Sequence, residues 1–268
     1  MRASALDHLL RRDRYVVAGA IAVLAALAWA YILWLGHTMR PQPQSSDGMG
    51  GMAMLTPALA VWDTGSFVFM FAMWAVMMIG MMTPSVAPML LLYARVGRQA
   101  VVCGQPFAAT GWFAGGYLAA WIGFALAATA LQWALENLAL LTPQTLQTGN
   151  MLGGAILIAA GIYQWTPVKA ACLSRCRAPL LFIQQHGGFR AGAYSALWLG
   201  VAHGAYCIGC CWMLMMLLFA GGVMNVLWIA GLTIFVLLEK ITLAGPHIAR
   251  FSGILLFIAG AALLSGRL

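Results

Sequence analysis

The 268 residues are 63% hydrophobic and only 7% charged, with a mean hydropathy of +0.89, whereas an ordinary soluble domain carries about 25% charge. That excludes a soluble globular domain and describes a polytopic membrane protein. The net charge of +8 comes without a basic run or an RNA-binding motif, so nucleic acid is not a partner and membrane topology gives the positive charges their use.

Seven segments reach the length of about 20 residues that crosses the hydrocarbon core: roughly 15–36, 67–94, 107–133, 149–167, 191–220, 223–243 and 247–266. In lipid their amides find partners only within helices. The fold class predicted is therefore all-α, a polytopic bundle of about seven transmembrane helices. With the N-terminus in the cytoplasm, all of the 14 Lys and Arg except Arg40 and Arg267 fall inside, the bias expected of a bacterial inner membrane protein. The chain divides into a basic N-terminus and anchor (1–36), an external loop (37–66) and a six-helix membrane domain (67–268).

The first segment follows basic residues, as a signal peptide would, but its apolar run to Leu35 is too long for an h-region and no small-x-small cleavage site follows. It is predicted to stay as an anchor. The loop from His37 to Trp62 holds Pro41, Pro43 and a Gly/Met-rich stretch from Gly48 to Met54, with neither helix nor strand periodicity. It is either a flexible linker that happens to be Met-rich or, through His37, Met39, Met49, Met52 and Met54, a gatherer of soft metal ions in an oxidising compartment.

In the second segment Met70, Met73, Met77 and Met81 share one helical face, and Met77, Met78, Met81 and Met82 fall near mid-membrane. A methionine stripe is usually adaptable packing; one interrupted at Thr83-Pro84, where a backbone carbonyl is freed, resembles a built site. Cys103, in the following inner turn, has no nearby ligand. The third segment is rich in small residues suited to close helix contact and carries no obvious chemistry. The fourth ends at Tyr163 to Lys169 with a Pro stop and aromatic and basic residues at the inner interface. The inner loop after it spaces Cys172 and Cys176 four apart, so one helical turn brings the sulfurs together, with Lys169, Arg175 and Arg177 nearby to favour the thiolate. A paired inner metal site and a pair of free cytosolic thiols are both open.

The fifth segment is the densest in metal-binding atoms. Between His203 and Met216 it carries one imidazole, the thiols of Cys207, Cys210 and Cys211, and three thioethers. On a helix His203, Cys207 and Cys210 fall within roughly 60° of one another, with Cys211 at the edge. A lone cysteine in a membrane helix is most often a small apolar filler, but three with a histidine one turn before them ask for a partner or a metal. Met213, Met215 and Met216 point in different directions and read as packing. The second and fifth helices are expected to face each other across one interior site. In the sixth segment Glu239 either pairs with Lys240 or another basic residue at the interface, or offers a way in for a cation or proton. The seventh closes the bundle behind Pro246, with His247 at the interface.

Taken together, the run from Trp74 to Pro88, the run from Tyr163 through Cys172 and Cys176 to Pro179, the run from Gly204 through Cys207 to Trp212, Gly222 to Asn225, and Glu239-Lys240 resemble a bacterial family of metal-binding integral membrane proteins. The resemblance covers about residues 65–265. One member accompanies a tyrosinase-type polyphenol oxidase and is regarded as that enzyme's copper chaperone. The resemblance implies copper handling by Cys172, Cys176, Cys207, Cys210, Cys211 and the Met77 to Met82 cluster.

The leading reading is thus a non-enzymatic copper(I)-binding membrane protein that moves the ion between inner thiols, an intramembrane Cys/His/Met site and outer thioethers, for delivery to a cuproenzyme or periplasmic copper carrier, or for export. A thiol-disulfide oxidoreductase using Cys207 and Cys210 is the rival from another class, but no external loop holds a cysteine for it to work through. A non-catalytic subunit of a membrane complex, with cysteines that only pack, is the third. The short loops contain no Walker A motif, which argues against an ATP-driven pump.

Overall fold

Proline and glycine positions set where the helices begin and end. The structure, a computed structural model, describes residues 2–38, 62–102, 109–142, 147–189, 192–242 and 244–266. The elements are α1 (Arg2–Thr38), α2 (Thr64–Val102), α3 (Thr110–Asn137), β1 (Leu141–Thr142), β2 (Gln147–Thr148), α4 (Asn150–Tyr163), α5 (Pro167–Arg177), α6 (Pro179–Gln185), α7 (Ala193–Gly221), α8 (Val226–Ile241) and α9 (Gly245–Leu264). Apart from the antiparallel pairing of Leu141 with Thr148 and Thr142 with Gln147, the described fold is helical, and each of the seven predicted segments holds a helix. Residues 39–61, with Met39, Met49, Met52 and Met54 of the Met-rich loop, and Cys103 lie outside the described residues.

By length and composition, five of the helices suffice to cross a membrane, or up to six if α4 and α5 count as one broken span. The predicted fourth span, 149–167, is cut short. Pro167 removes a helical amide and forces Thr166 into the extended region (ψ 144°). The Thr166 hydroxyl then caps α5 by accepting from the Lys169 amide at 3.3 Å, and α5 leaves α4 at 66°. The stretch after Lys169, expected to be a loop, is therefore a helix that ends at Pro179. In α2, Pro84 and Pro88 sit inside a continuous helix, and Thr83 and Ser85 turn their hydroxyls back to the carbonyls of Ile79 (2.5 Å) and Met82 (2.9 Å).

Lipid-like interiors draw helices together through small residues rather than bulk hydrophobicity. As expected of the small residues in the third segment, α3 meets α7 backbone to backbone: a Cβ on Gly116 would collide with the Leu197 carbonyl, and one on Gly200 with the Phe113 carbonyl. The α4–α9 seam repeats this with Gly161 against Gly253 and Gly154 against Gly260. Helix α7 thus lies in the middle of the bundle, packed on α3, α4, α5 and α8. Near the start of α2 a polar chain ties α2 to α3: Trp74 Nε1 donates to Gln132 Oε1 (2.6 Å), Gln132 Nε2 to Glu136 Oε1 (2.8 Å), and Trp62 Nε1 to Glu136 Oε2 (2.6 Å).

A branched side chain at Gly200 has only rigid backbone to push against. Gly200→Val is expected to cost about 3 kcal/mol, the upper end for overpacking, and to lower the thermal midpoint of the detergent-solubilised protein, read by loss of monodisperse protein after heating. Gly123→Val, where a Cβ meets nothing within 4 Å, should leave the midpoint in place.

Candidate metal centre

One face of α7 carries His203, Cys207, Cys210 and Cys211, all buried at 3% exposure or less. Cys210 and Cys211 lie three and four residues on from Cys207, and both thiols donate back to its carbonyl oxygen at 3.0 Å. Opposite this face stands α5. Gly209 makes the approach possible, because a Cβ there would lie 2.8 Å from Cys172 Sγ, and the Tyr163 hydroxyl closes the same corner by donating to the Gly209 carbonyl at 2.5 Å. The result is that Cys176 lies within interaction range of Cys207 and Cys210, and Cys172 of Cys210. The two cysteine motifs, expected as an inner pair and a separate intramembrane site, form one cluster of five free thiols.

Two side chains from other helices reach the central sulfur. Lys240, buried in α8, donates from Nζ to Cys207 Sγ at 2.8 Å and to Ser85 Oγ of α2 at 3.2 Å. Tyr117, in the α3 segment that the sequence leaves without chemistry, places its hydroxyl 3.2 Å from Cys207 Sγ and 3.3 Å from the Met82 carbonyl. Met78, Met81 and Met82 are buried at 1% or less, and the link from α2 to the thiols runs through Tyr117 and Lys240. Met77 instead lines a small gap with Ile32, Leu35 and Ile229, on the α1 side. His203 stands one turn before Cys207 in a cage of Phe113, Tyr117 and Phe182, its ring centroid 5.0 Å from that of Phe182, and its Nδ1 is buried without a hydrogen-bond partner.

Glu239 is paired, but not with Lys240. Its carboxylate accepts from Lys169 Nζ at 2.8 and 3.0 Å and from Gln164 Nε2 at 3.2 Å, Lys169 also donates to Gln164 Oε1, and Gln164 Nε2 reaches Ser252 Oγ at 3.0 Å. Neighbours on α8 point about 100° apart, which sends Glu239 towards α5 and α4 and Lys240 towards α7. A cavity of about 360 Å³ lined by Gln164, Trp165, Lys169, Arg177 and Arg250 adjoins this pair. Of the cations expected to serve Cys172 and Cys176, Lys169 is engaged with Glu239 and Arg177 with the Thr242 carbonyl (2.6 Å), while Arg175 hydrogen-bonds the Tyr206 hydroxyl (3.2 Å) and stays within electrostatic range of Cys172. The ammonium in direct contact with a thiol is Lys240. A lysine inside an apolar run was the signal for it; nothing in the third segment announces Tyr117.

Among the described residues no group of three or more His, Cys, Asp or Glu side chains is arranged to hold a metal ion. The geometry says why: Cys210 and Cys211 are turned to a backbone carbonyl, and Cys207 is occupied by Lys240 and Tyr117. The donor chemistry is nonetheless that which suits a soft, low-valent ion: five free thiols, with no carboxylate among the described residues hydrogen-bonded to any of them.

The chain matches the model of a protein family described as PpoB2, copper chaperone, over residues 71–263, which is well over half of its length and takes in every residue of the thiol cluster. No curated protein and no solved structure matches it.

Breaking the Lys169–Glu239 pair from one side leaves a buried carboxylate alone. Lys169→Met is expected to destabilise the protein by about 3–5 kcal/mol, whereas Lys169→Met with Glu239→Leu should recover most of that loss. Thermal midpoints of the three proteins in one detergent measure it, and a double variant no better than the single would refute the pairing.

Proposed function

Since the chain belongs to the PpoB2 copper chaperone family, we propose that it binds copper(I) in the cluster of Cys172, Cys176, Cys207, Cys210 and Cys211 and delivers it for maturation of a cuproenzyme, directly or through a periplasmic copper carrier. The observation that carries this reading is the meeting of two cysteine motifs, from α5 and α7, in one buried cluster of free thiols. Thiolates select Cu(I) over the hard cations a cell holds in excess. A site enclosed by helices also supplies no water to compete as a ligand.

In this reading the bundle crosses the bacterial inner membrane, with its N-terminus in the cytoplasm, α4 and α5 forming one broken crossing and α8 a short one. Residues 1–36 are the anchor and 37–66 an external loop whose methionines receive the ion. Met78, Met81 and Met82 line the way from the thiols, His203 is a reserve nitrogen donor, and Glu239, locked to Lys169, guards the cavity-side approach. Disulfide exchange fits less well, because Cys207 and Cys210 are exposed by only 1% and 2% and the reaction requires a partner sulfur in line with an accessible thiolate.

Purified under reducing conditions, the protein should hold near-stoichiometric Cu(I), and a Cys207→Ser, Cys210→Ser, Cys211→Ser variant should hold almost none. Metal content by mass spectrometry decides; Zn(II) bound in place of Cu(I) would sink the reading. In cells at limiting copper, Cys207→Ser should abolish activity of the recipient cuproenzyme at matched membrane levels, while Met49→Leu or Met52→Leu alone should cost little, since thioethers on one hydrated loop substitute for one another.

A further inference from the structure

Three cationic or anionic side chains are fully inside the bundle near the thiols, and two of them answer each other: Lys169 and Glu239 form the one salt bridge among the described residues. The third, Lys240, has no carboxylate within salt-bridge distance. Its ammonium is shared between Cys207 Sγ at 2.8 Å and Ser85 Oγ at 3.2 Å. A buried ammonium is costly unless something of opposite charge or strong polarity meets it, and here that group is the central sulfur of the cluster. The Tyr117 hydroxyl approaches the same sulfur at 3.2 Å, so a metal ion bound to Cys207 has to take the space that Lys240 and Tyr117 now fill.

We propose that the Lys240 ammonium is an internal stand-in for the cargo: it holds the ion's place on Cys207 Sγ, and Cu(I) takes the site by displacing it towards Ser85 while one thiol of the cluster gives up its proton to the medium as its sulfur binds the metal, so that the charge inside the bundle is unchanged. The inference rests on the copper(I) reading above and adds to it a basis for release. The displaced ammonium has somewhere to go. Ser85 already touches it, and the Pro84 carbonyl beside Ser85 lacks its helical donor because Pro88 has no amide hydrogen. Return of Lys240 to Cys207 would then help expel the ion, as a chaperone that must release its cargo requires.

The test uses full-length protein in lipid nanodiscs, titrated anaerobically with Cu(I) against a colorimetric Cu(I) chelator. Removing a competitor that occupies the site raises apparent affinity by the inverse of the open fraction, so Lys240→Leu, which adds no metal ligand, should bind Cu(I) about tenfold more tightly or better and surrender it to the chelator more slowly. Lys240→Arg, which keeps the charge, should bind and release Cu(I) as the wild type does. Equal or weaker Cu(I) binding by Lys240→Leu, with the helical circular dichroism and thermal midpoint of the wild type, would overturn the proposal and leave Lys240 a holder of the thiol. Should Lys240→Leu fail to fold, the Lys240 amine resonance of wild-type protein decides: it shifts on Cu(I) loading if the ammonium is displaced, and stays in place if it is not. Wild type that takes up no Cu(I) sinks the function itself, an outcome distinct from either.

Discussion

An apolar bundle offers no water to a buried charge, so each polar group in the interior must be answered by another. That constraint shapes this protein more than any single contact. Glu239 and Lys169 are held together across α8 and α5 with Gln164 and Ser252 completing the set. Trp74, Gln132 and Glu136 run as a chain between α2 and α3. Lys240 meets a sulfur. Each of these ties joins residues on different helices and fixes the rotation of those helices about their own axes, which van der Waals contact between small residues leaves comparatively free. The thiol cluster inherits its alignment from them: α5 is pinned through Lys169, α8 through Glu239 and Lys240, and α7 receives both.

The bend between α4 and α5 is the second determinant. A straight continuation of α4 would carry Cys172 and Cys176 away from the bundle axis, towards the inner interface where the sequence puts them. The 66° turn at Pro167 lays α5 along α7 instead, and Gly209 lets its sulfur side settle against the α7 backbone. A proline, its threonine cap and one glycine on the facing helix thus turn two local motifs into a single cluster.

Helix content and the central thiol face were legible from composition and spacing, because hydropathy over about 20 residues and a 100° step per residue are local properties. His203, Cys207, Cys210 and Cys211 share a buried face on α7 for that reason. What was hidden depends on contacts between distant residues. Tyr117 and Cys207 are 90 residues apart and Lys240 and Cys207 33 apart, and the sequence of α3 around Tyr117 reads as a packing surface, which it also is. Glu239 was singled out as a carboxylate that pairs with Lys240 or another basic residue, and of these the partner is Lys169, 70 residues away. Side chains of consecutive helical residues diverge, so a Glu-Lys dipeptide in a helix is a poor guide to an ion pair.

Chaperones and storage proteins differ in what they must do after binding. A site that only stores an ion gains from every extra ligand, whereas one that delivers it needs an interior that tolerates the empty state. Empty, a buried cluster of sulfurs would have polar atoms without partners. Here the three on α7 have them: Cys210 and Cys211 rest on the Cys207 carbonyl, and Cys207 on Lys240 and Tyr117. If the cluster carries copper(I) as proposed, partners already in the bundle stabilise its empty state and so narrow the free-energy gap between loaded and empty protein; that the partners of Cys207 belong to α3 and α8, rather than to the cluster itself, is the arrangement such a role asks for.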